Sequence, residues 1–516
     1  MLDWIQVRVG SFQVVALVTA LVVFKKILDR LQDRLPFPPG PKGIPWVGNV
    51  LQMPLDKQWM KFADWAKIYG PVVGLKLFGK SIILLDDYES ASDLLDSRGA
   101  IYSSRPDMPL ANRYGGFSHA LTTLPYGDLF HLQRKFMNRA LNPSAMNLWL
   151  PMIAENARAF ALNVLESPDK IRQFNRMYAG SNILMMAYGY KVDSPDDPWI
   201  LRAHEATQTI ESLGNIGAHP IDIFPILGNL PFRIWGKDFL TNMATMKRLL
   251  HEMSWIPYNT VKQQFFTGSA PACMVTSLLE ENAKGAEVQN ETSIIWASMM
   301  AYGAGADTTV AALDTFIIAM MLNPNVQKKA QAEIDNLLQG ERLPALEDRQ
   351  SLPYLEAILK EVHRWQPVAP LGLPHAVIED DEYKGMHIPA GSMIIFNLWS
   401  MLHNSKDYPD PESFNPDRYI REDDGKITFR KDVRDPEDLA FGFGRRLCPG
   451  RHFASASLWL ATAMLLAVFD ISLPVDEDGN PILPDLDYEN GIVSHPKPYK
   501  CVLKPRSEHS VESLSS

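Results

Sequence analysis

Between Phe441 and Gly450 the chain reads Phe-Gly-Phe-Gly-Arg-Arg-Leu-Cys-Pro-Gly, and no other stretch restricts the fold as tightly. Gly442 and Gly444 permit a sharp bend and close approach of backbone to a flat partner. Pro449 suits the first turn of a helix running from Gly450 towards Val468. A cysteine at a helix start has its thiolate favoured by free N–H groups and the macrodipole. Cys273 and Cys501 make no CxxC and no paired spacing with Cys448, so no disulfide framework is implied. The fold must therefore close around one shielded thiol. Arg446 stands two residues before it, ready to fork two N–H bonds onto an acid.

A lone thiolate with a guanidinium beside it suits a haem iron and its propionates. Phe441, Gly444, Arg446, Cys448 and Gly450 resemble, position for position, the haem-binding loop of the cytochrome P-450 monooxygenases. The segment Pro370–Ala376 is similar to fungal, small-molecule-oxidising members. The resemblance runs from about Pro36 to Pro505. It implies a mainly α fold with a small β region, in a single large haem domain behind a membrane anchor. It implies heme b as cofactor, with Cys448 as the axial thiolate.

Further landmarks of the family lie upstream in the expected order. Asn290 to Leu322 reads as one long apolar helix, stopped by Asn323-Pro324 and expected to break over the haem. Within it, Ala304-Gly305-Ala306-Asp307-Thr308 resembles the oxygen-binding motif. Small residues there would leave room for substrate and dioxygen. The resemblance implies that Thr308 steadies the oxygen and that Asp307 feeds protons towards it. Glu361 and Arg364, three apart on one helix face, resemble the family's Glu-x-x-Arg pair, and Arg418 its third charge. These three are expected to form a buried structural network behind the haem loop. Where the family usually places Trp four residues before Arg134, this chain has Phe130, so a ring N–H donor is missing and His131 is a candidate replacement. Arg134 and His375 are expected to contact the propionates, with Phe441 packed on the thiolate side.

The pocket is expected to be lined by Ser298, Met299, Tyr302, Gly303 and Ala304 on the long helix. Val368, Ala369, Leu371 and Gly372 would face them, and the loops Arg105–His119 and Asn490–Val493, with Ile492, would close it. Most are apolar, which favours a hydrophobic small molecule. No nucleotide-binding fingerprint occurs, so NADPH electrons must arrive through a separate NADPH-cytochrome P-450 reductase. A basic cluster of Arg430, Lys431, Arg434, Arg445, Arg446 and Arg451 would steer it towards the thiolate side. A formal net charge of −10 without a basic stripe excludes nucleic acid as partner. Two other readings stay open: a family member acting without a reductase as isomerase or dehydratase, and a non-catalytic haem carrier.

The chain has 516 residues and no linker in its middle. Residues 1–8 read as a short lumenal end, and 9–24 as an almost wholly apolar anchor. Lys25, Lys26 and Arg30 follow, so the catalytic domain should face the cytosol from a single pass through the endoplasmic reticulum membrane. Residues 25–48 read as a basic, Pro-rich hinge, 49–505 as the haem domain and 506–516 as a polar, disordered tail. The Asn290-Glu291-Thr292 sequon would then lie in the cytosol and carries no glycan. Strands are expected at Val72–Leu77 and Ser81–Leu85, and a hairpin over Tyr383–Ile395 turning at Pro389-Ala390-Gly391.

Overall fold

The structure is a computed structural model in which residues 18–22, 35–212, 220–223, 227, 236–285, 287–423 and 426–515 are described. The anchor and the basic segment after it lie outside the described residues, apart from a helical turn at 18–22 with exposed side chains. Two described helices are long and apolar enough to span a bilayer, Glu291–Leu322 and Arg451–Val468, and both are mostly buried inside the domain.

Helix α1 (Gln58–Tyr69) packs beside a hairpin of β1 (Val72–Leu77) and β2 (Lys80–Leu85). Phe78 and Gly79 turn the hairpin with φ of 48° and 86°, and two consecutive positive φ values match the right-handed strand twist. Then follow α2 (Asp128–Leu141), α3 (Pro143–Glu166), α4 (Ile171–Tyr188), α5 (Pro198–Ser212), α6 (Lys237–Thr267), α7 (Met274–Asn282), α8 (Glu291–Leu322), α9 (Pro324–Leu338) and α10 (Pro353–Trp365). Asn142 caps α3 by accepting from the Ser144 and Ala145 amides, and Pro143 starts the helix without wasting a donor. Short strands β3 (His375–Ala376), β4 (Asp381–Tyr383), β5 (Met386–Ile388) and β6 (Met393–Phe396) precede α11 (Arg451–Val468) and α12 (Glu508–Ser515). The main sheet has the order β1-β2-β6-β3, with β6 parallel to β2 and the other pairs antiparallel.

Helix α8 is apolar all round and accordingly buried on nearly every side. It lies along α4, and Gly305 sets the approach: a Cβ there would stand 2.8 Å from Ile183 Cδ1. The expected break over the haem is absent, since α8 is helical from Glu291 to Leu322. Thr308 Oγ1 bonds back to the Ala304 carbonyl at 3.0 Å, so the hydroxyl is satisfied without opening the ladder.

Three other expectations change. The Pro-rich segment from Pro36 is packed against the sheet and is no hinge. The carbonyls of Pro36 and Pro39 accept from His387 N and Gly74 N, and Phe37 occupies the space a Gly74 Cβ would need. The tail is helical over Glu508–Ser515, because Leu514 is fully buried and its carbonyl accepts two bonds from Arg158 of α3. The hairpin turns at Lys384-Gly385, whose φ values are 50° and 75°. Beyond Pro389-Ala390-Gly391 the chain enters β6 and joins the main sheet.

Candidate active site

The Phe441–Gly450 loop is pinned from two sides. Phe443 is buried edge-on against Phe396 of β6, and Phe441 meets the His363 ring of α10 at 5.5 Å. Cys448 N donates to the Phe441 carbonyl at 2.9 Å and closes the loop. Gly444 is obligatory: its φ is +52°, and a Cβ would fall 2.4 Å from the Leu95 carbonyl oxygen. Helix α11 begins at Arg451, with Gly450 as its cap and Pro449 just outside. The depressed thiol pKa expected from the helix start does not result. Burial pushes Cys448 up, outweighing the Gly450 and Arg451 amides and the charges of Arg134 and Arg451 that favour the anion.

Three arginines gather near this loop without a carboxylate partner among the described residues. Arg446 donates to the carbonyls of Ser103 (2.7 Å), Leu121 (3.1 Å) and Leu124 (2.7 Å), and lies 3.8 Å over the Phe130 ring. Burial and the nearby Arg134 lower it to about 10. Arg105 is buried, donates to the Leu373 and Pro374 carbonyls, and leaves its Nε without a partner. Its pKa falls well below the arginine range through burial and the charge of Arg446. Arg134 is lowered by burial too. His375, buried beside them, bonds the Tyr102 carbonyl through Nδ1 at 2.8 Å. Burial first, then Arg105, hold it well below the usual imidazole range. Phe130 therefore presents the aromatic face to Arg446, whereas the proposed substitute His131 is exposed and turned against Tyr126.

Along α8, the accessible stretch is Gly303–Thr308. Ala304 is exposed and Gly303, Gly305, Asp307 and Thr308 are half-buried, between fully buried runs on either side. Asp307 Oδ1 lies 3.1 Å from His495 Nε2. Of the expected lining residues, Val368, Ala369, Leu371, Gly372 and Ile492 keep accessible surface. Ser494 N donates to the Val368 carbonyl at 2.8 Å and so ties the Ile492 loop to that segment. Ser298, Met299 and Tyr302 do not join them, being 0–2 % exposed. At about 100° per residue, Tyr302 stands about 160° round the helix from Ala304. Its hydroxyl donates to the Trp199 carbonyl of α5, and its ring meets Tyr188 edge-on. Gly305 serves the α4 contact, so the room beside the motif belongs to Gly303 and Ala304.

Glu361, Arg364 and Arg418 do form one network. Glu361 accepts from Arg364 Nε (2.8 Å) and Nη2 (2.9 Å), Arg418 Nε (3.1 Å), Tyr419 Oη (2.8 Å) and Asn415 N (2.8 Å). The remaining guanidinium donors reach carbonyls of Leu402, Pro409, Asp410, Pro411 and Ser413.

The cytochrome P-450 family model matches residues 38–503. The chain belongs to the cytochrome P-450 family. It is 39 % identical over 487 residues to cytochrome P-450 monooxygenase 136 of Postia placenta, covering 93 % of this chain and 90 % of that one. It is 39 % identical to cytochrome P-450 monooxygenase claR of Ampulloclitocybe clavipes, with 92 % and 88 % covered. A monooxygenase of Armillaria gallica is 38 % identical, with 98 % and 99 % covered. The protein is thus a haem-thiolate monooxygenase, and P-450 haem is ligated through a cysteine thiolate. The residues present fit haem. A half-buried thiol and three arginines without carboxylate partners among the described residues make a donor set suited to iron and two propionates. Arg105 belongs to that set, although the sequence reading placed it only in a loop closing the pocket. No local signal marks it, since its neighbours are Ser103, Ser104, Pro106 and Asp107, and its depth is set by the segment just before β3, some 270 residues away in sequence. His495 was also missed, because no local pattern separates it from any loop histidine.

Proposed function

We propose that this P-450 inserts one oxygen atom from O2 into a hydrophobic small molecule, using NADPH electrons relayed by a separate reductase. The reading is supported by the partly exposed apolar residues Ala304, Val368, Ala369, Leu371 and Ile492 and by the acid Asp307 on the same stretch of α8 as Ala304. Haem, when bound, supplies oxygen activation and the thiolate's electron push. Arg105, Arg134 and Arg446 would orient it by its propionates, with His375 contributing once protonated. Neutral His375 offers only Nε2 as acceptor, because Nδ1–H is committed to Tyr102. Cys448 would hold the iron through its sulfur as the thiolate. Asp307 would hold a proton beside Thr308, whose hydroxyl would swing from the Ala304 carbonyl towards the oxygen side.

Support for reductase docking shifts from the expected cluster. Arg446 faces inward, Arg430 is paired with Asp432, and Arg434 lies on the Tyr88 ring. A cleft of about 580 Å3 beside Pro449 instead carries Lys135, Arg139, Arg451 and His452, with Lys135 and Arg139 sharing its one acid, Glu281, so that the net charge of its lining stays positive. An acidic flavoprotein surface fits it electrostatically. The apolar run 9–24 would anchor the chain in the endoplasmic reticulum membrane with this face in the cytosol. Fungal secondary metabolism and xenobiotic oxidation both supply substrates of the required class. The test is NADPH- and reductase-dependent turnover of wild type and Thr308→Ala. The variant should retain haem and release peroxide in place of product. Tight coupling in the variant refutes the role of Thr308. Product without NADPH refutes the reductase and favours the isomerase or dehydratase reading, and no product with any electron source favours a haem carrier.

A further inference from the structure

We propose that His495 is the positioning and proton-relay residue for Asp307, linking the oxygen motif to solvent through a buried polar chain along one flank of α8. The inference rests on the monooxygenase reading of Asp307 and adds the source of its protons.

Asp307 and His495 meet at 3.1 Å, with both side chains under one-fifth exposed. His495 comes from the loop before the strand Val502–Pro505, almost 190 residues later in sequence, so the pairing is a tertiary construction. The groups around the pair come from each packed element. On α8, Asp314 stands seven residues after Asp307, two helical turns on and therefore on the same flank. Asp314 is buried and interacts electrostatically with His495. It accepts from Asn175 Nδ2 (2.7 Å) and Tyr499 Oη (2.9 Å), and Arg172 of α4 lies 3.8 Å away. Arg176 of α4 and His204 of α5 complete the surroundings, and His204 feels both Asp307 and His495. Burial raises Asp314 and lowers His204, so each is pushed towards its uncharged form. Tyr488 closes the far side through its hydrogen bond with Thr315.

The chemistry follows from this geometry. At 3.1 Å His495 Nε2 and Asp307 Oδ1 form an ion pair without an aligned hydrogen bond, so a small ring rotation would turn an Nε2 proton onto Oδ1, and passing it leaves a neutral imidazole beside a protonated acid. The imidazole then regains a proton from solvent. An imidazole is the side chain that both holds and exchanges a proton at neutral pH.

The first test needs no turnover. Imidazole resonances of the full-length, haem-loaded protein are recorded in the diamagnetic ferrous carbon monoxide form, and His495 is identified by its loss in His495→Gln. Its titration midpoint should fall by about one pH unit in Asp307→Asn, as expected for removal of a neighbouring carboxylate. An unchanged midpoint overturns the pairing. The second test compares NADPH-driven oxygen consumption in light and heavy water. His495→Gln keeps a donor but cannot relay, so it should slow consumption about tenfold and enlarge the solvent isotope effect, with an unaltered carbon monoxide spectrum. Wild-type rate and isotope effect in that variant overturn the relay. If wild type itself consumes no oxygen with NADPH and reductase, the proposed function fails, and the resonance titration still judges the pairing.

Discussion

Replacing Glu361 with Gln probes the network that holds α10 to the segment carrying Arg418. The carboxylate accepts five hydrogen bonds and is fully buried, as is Arg364, while Arg418 is 7 % exposed. Glutamine keeps the shape, removes the only negative charge, and turns a donor towards groups that are themselves donors. Two guanidinium charges then remain buried without a counter-ion. Removing one partner from such a set costs about 3–5 kcal/mol. The damage should reach the haem loop, because His363 on the same helix packs on Phe441 and Lys360 pairs with Asp435. Urea unfolding followed by tryptophan fluorescence and by the Soret band measures both effects. Trp365, one of twelve tryptophans, sits at the network, its indole N–H donating to the Glu412 carbonyl at 2.9 Å. The expected result is a loss of about 3–5 kcal/mol and earlier haem release. A loss below about 1 kcal/mol with haem retained, the size of an exposed ion pair, would refute the argument.

Arg105→Met should act in opposite directions on the two forms. Removing a buried, unpaired charge stabilises the haem-free chain, whereas the holoprotein loses about 1.5–3 kcal/mol of haem affinity through one charge-assisted bond; haem transfer to apomyoglobin and thermal unfolding of both forms read the two signs. Gly305→Ala gains about 1 kcal/mol of helix propensity but meets Ile183, at an overpacking cost of about 1–3 kcal/mol; denaturation midpoints should fall, and Ile183→Val in the same chain should restore part of the loss. Burial, partly offset by hydrogen bonds from Ser400 and Asn397, raises Asp86 from 3.8 to about 7. Its folded-state pKa is the higher one, so its contribution is present below pH 3.8 and is lost as pH rises through 7, by about 4 kcal/mol at about 1.4 kcal/mol per unit. Asp86→Asn should flatten the fall in stability between pH 4 and 7, and identical pH profiles for variant and wild type would contradict the assignment.

Local pattern carried far in this chain. The thiol loop, the extent of α8, the Glu361–Arg364 pairing and the β1–β2 hairpin all follow from neighbours a few residues apart, where spacing and turn chemistry act directly. Such patterns specify which residues exist on a segment and which can share a face. Which way a face turns is set by what packs against it. Tyr302 and Ala304 are two residues apart on α8, yet one faces Trp199 and the other is exposed, because the contact of Gly305 with Ile183 fixes the rotation. The polar tail became a helix only because Leu514 found a buried seat and Arg158 a carbonyl. Arg105 and His495 gained their places from segments about 270 and 190 residues distant, joined by a strand and a loop that no periodicity links. The sequence by itself determined the family, the candidate thiol loop and most of the long elements. Tertiary structure decided where Arg105, Arg134 and Arg446 gather, which way α8 turns and the neighbour of Asp307, because burial and charge balance arise only when distant segments share one volume.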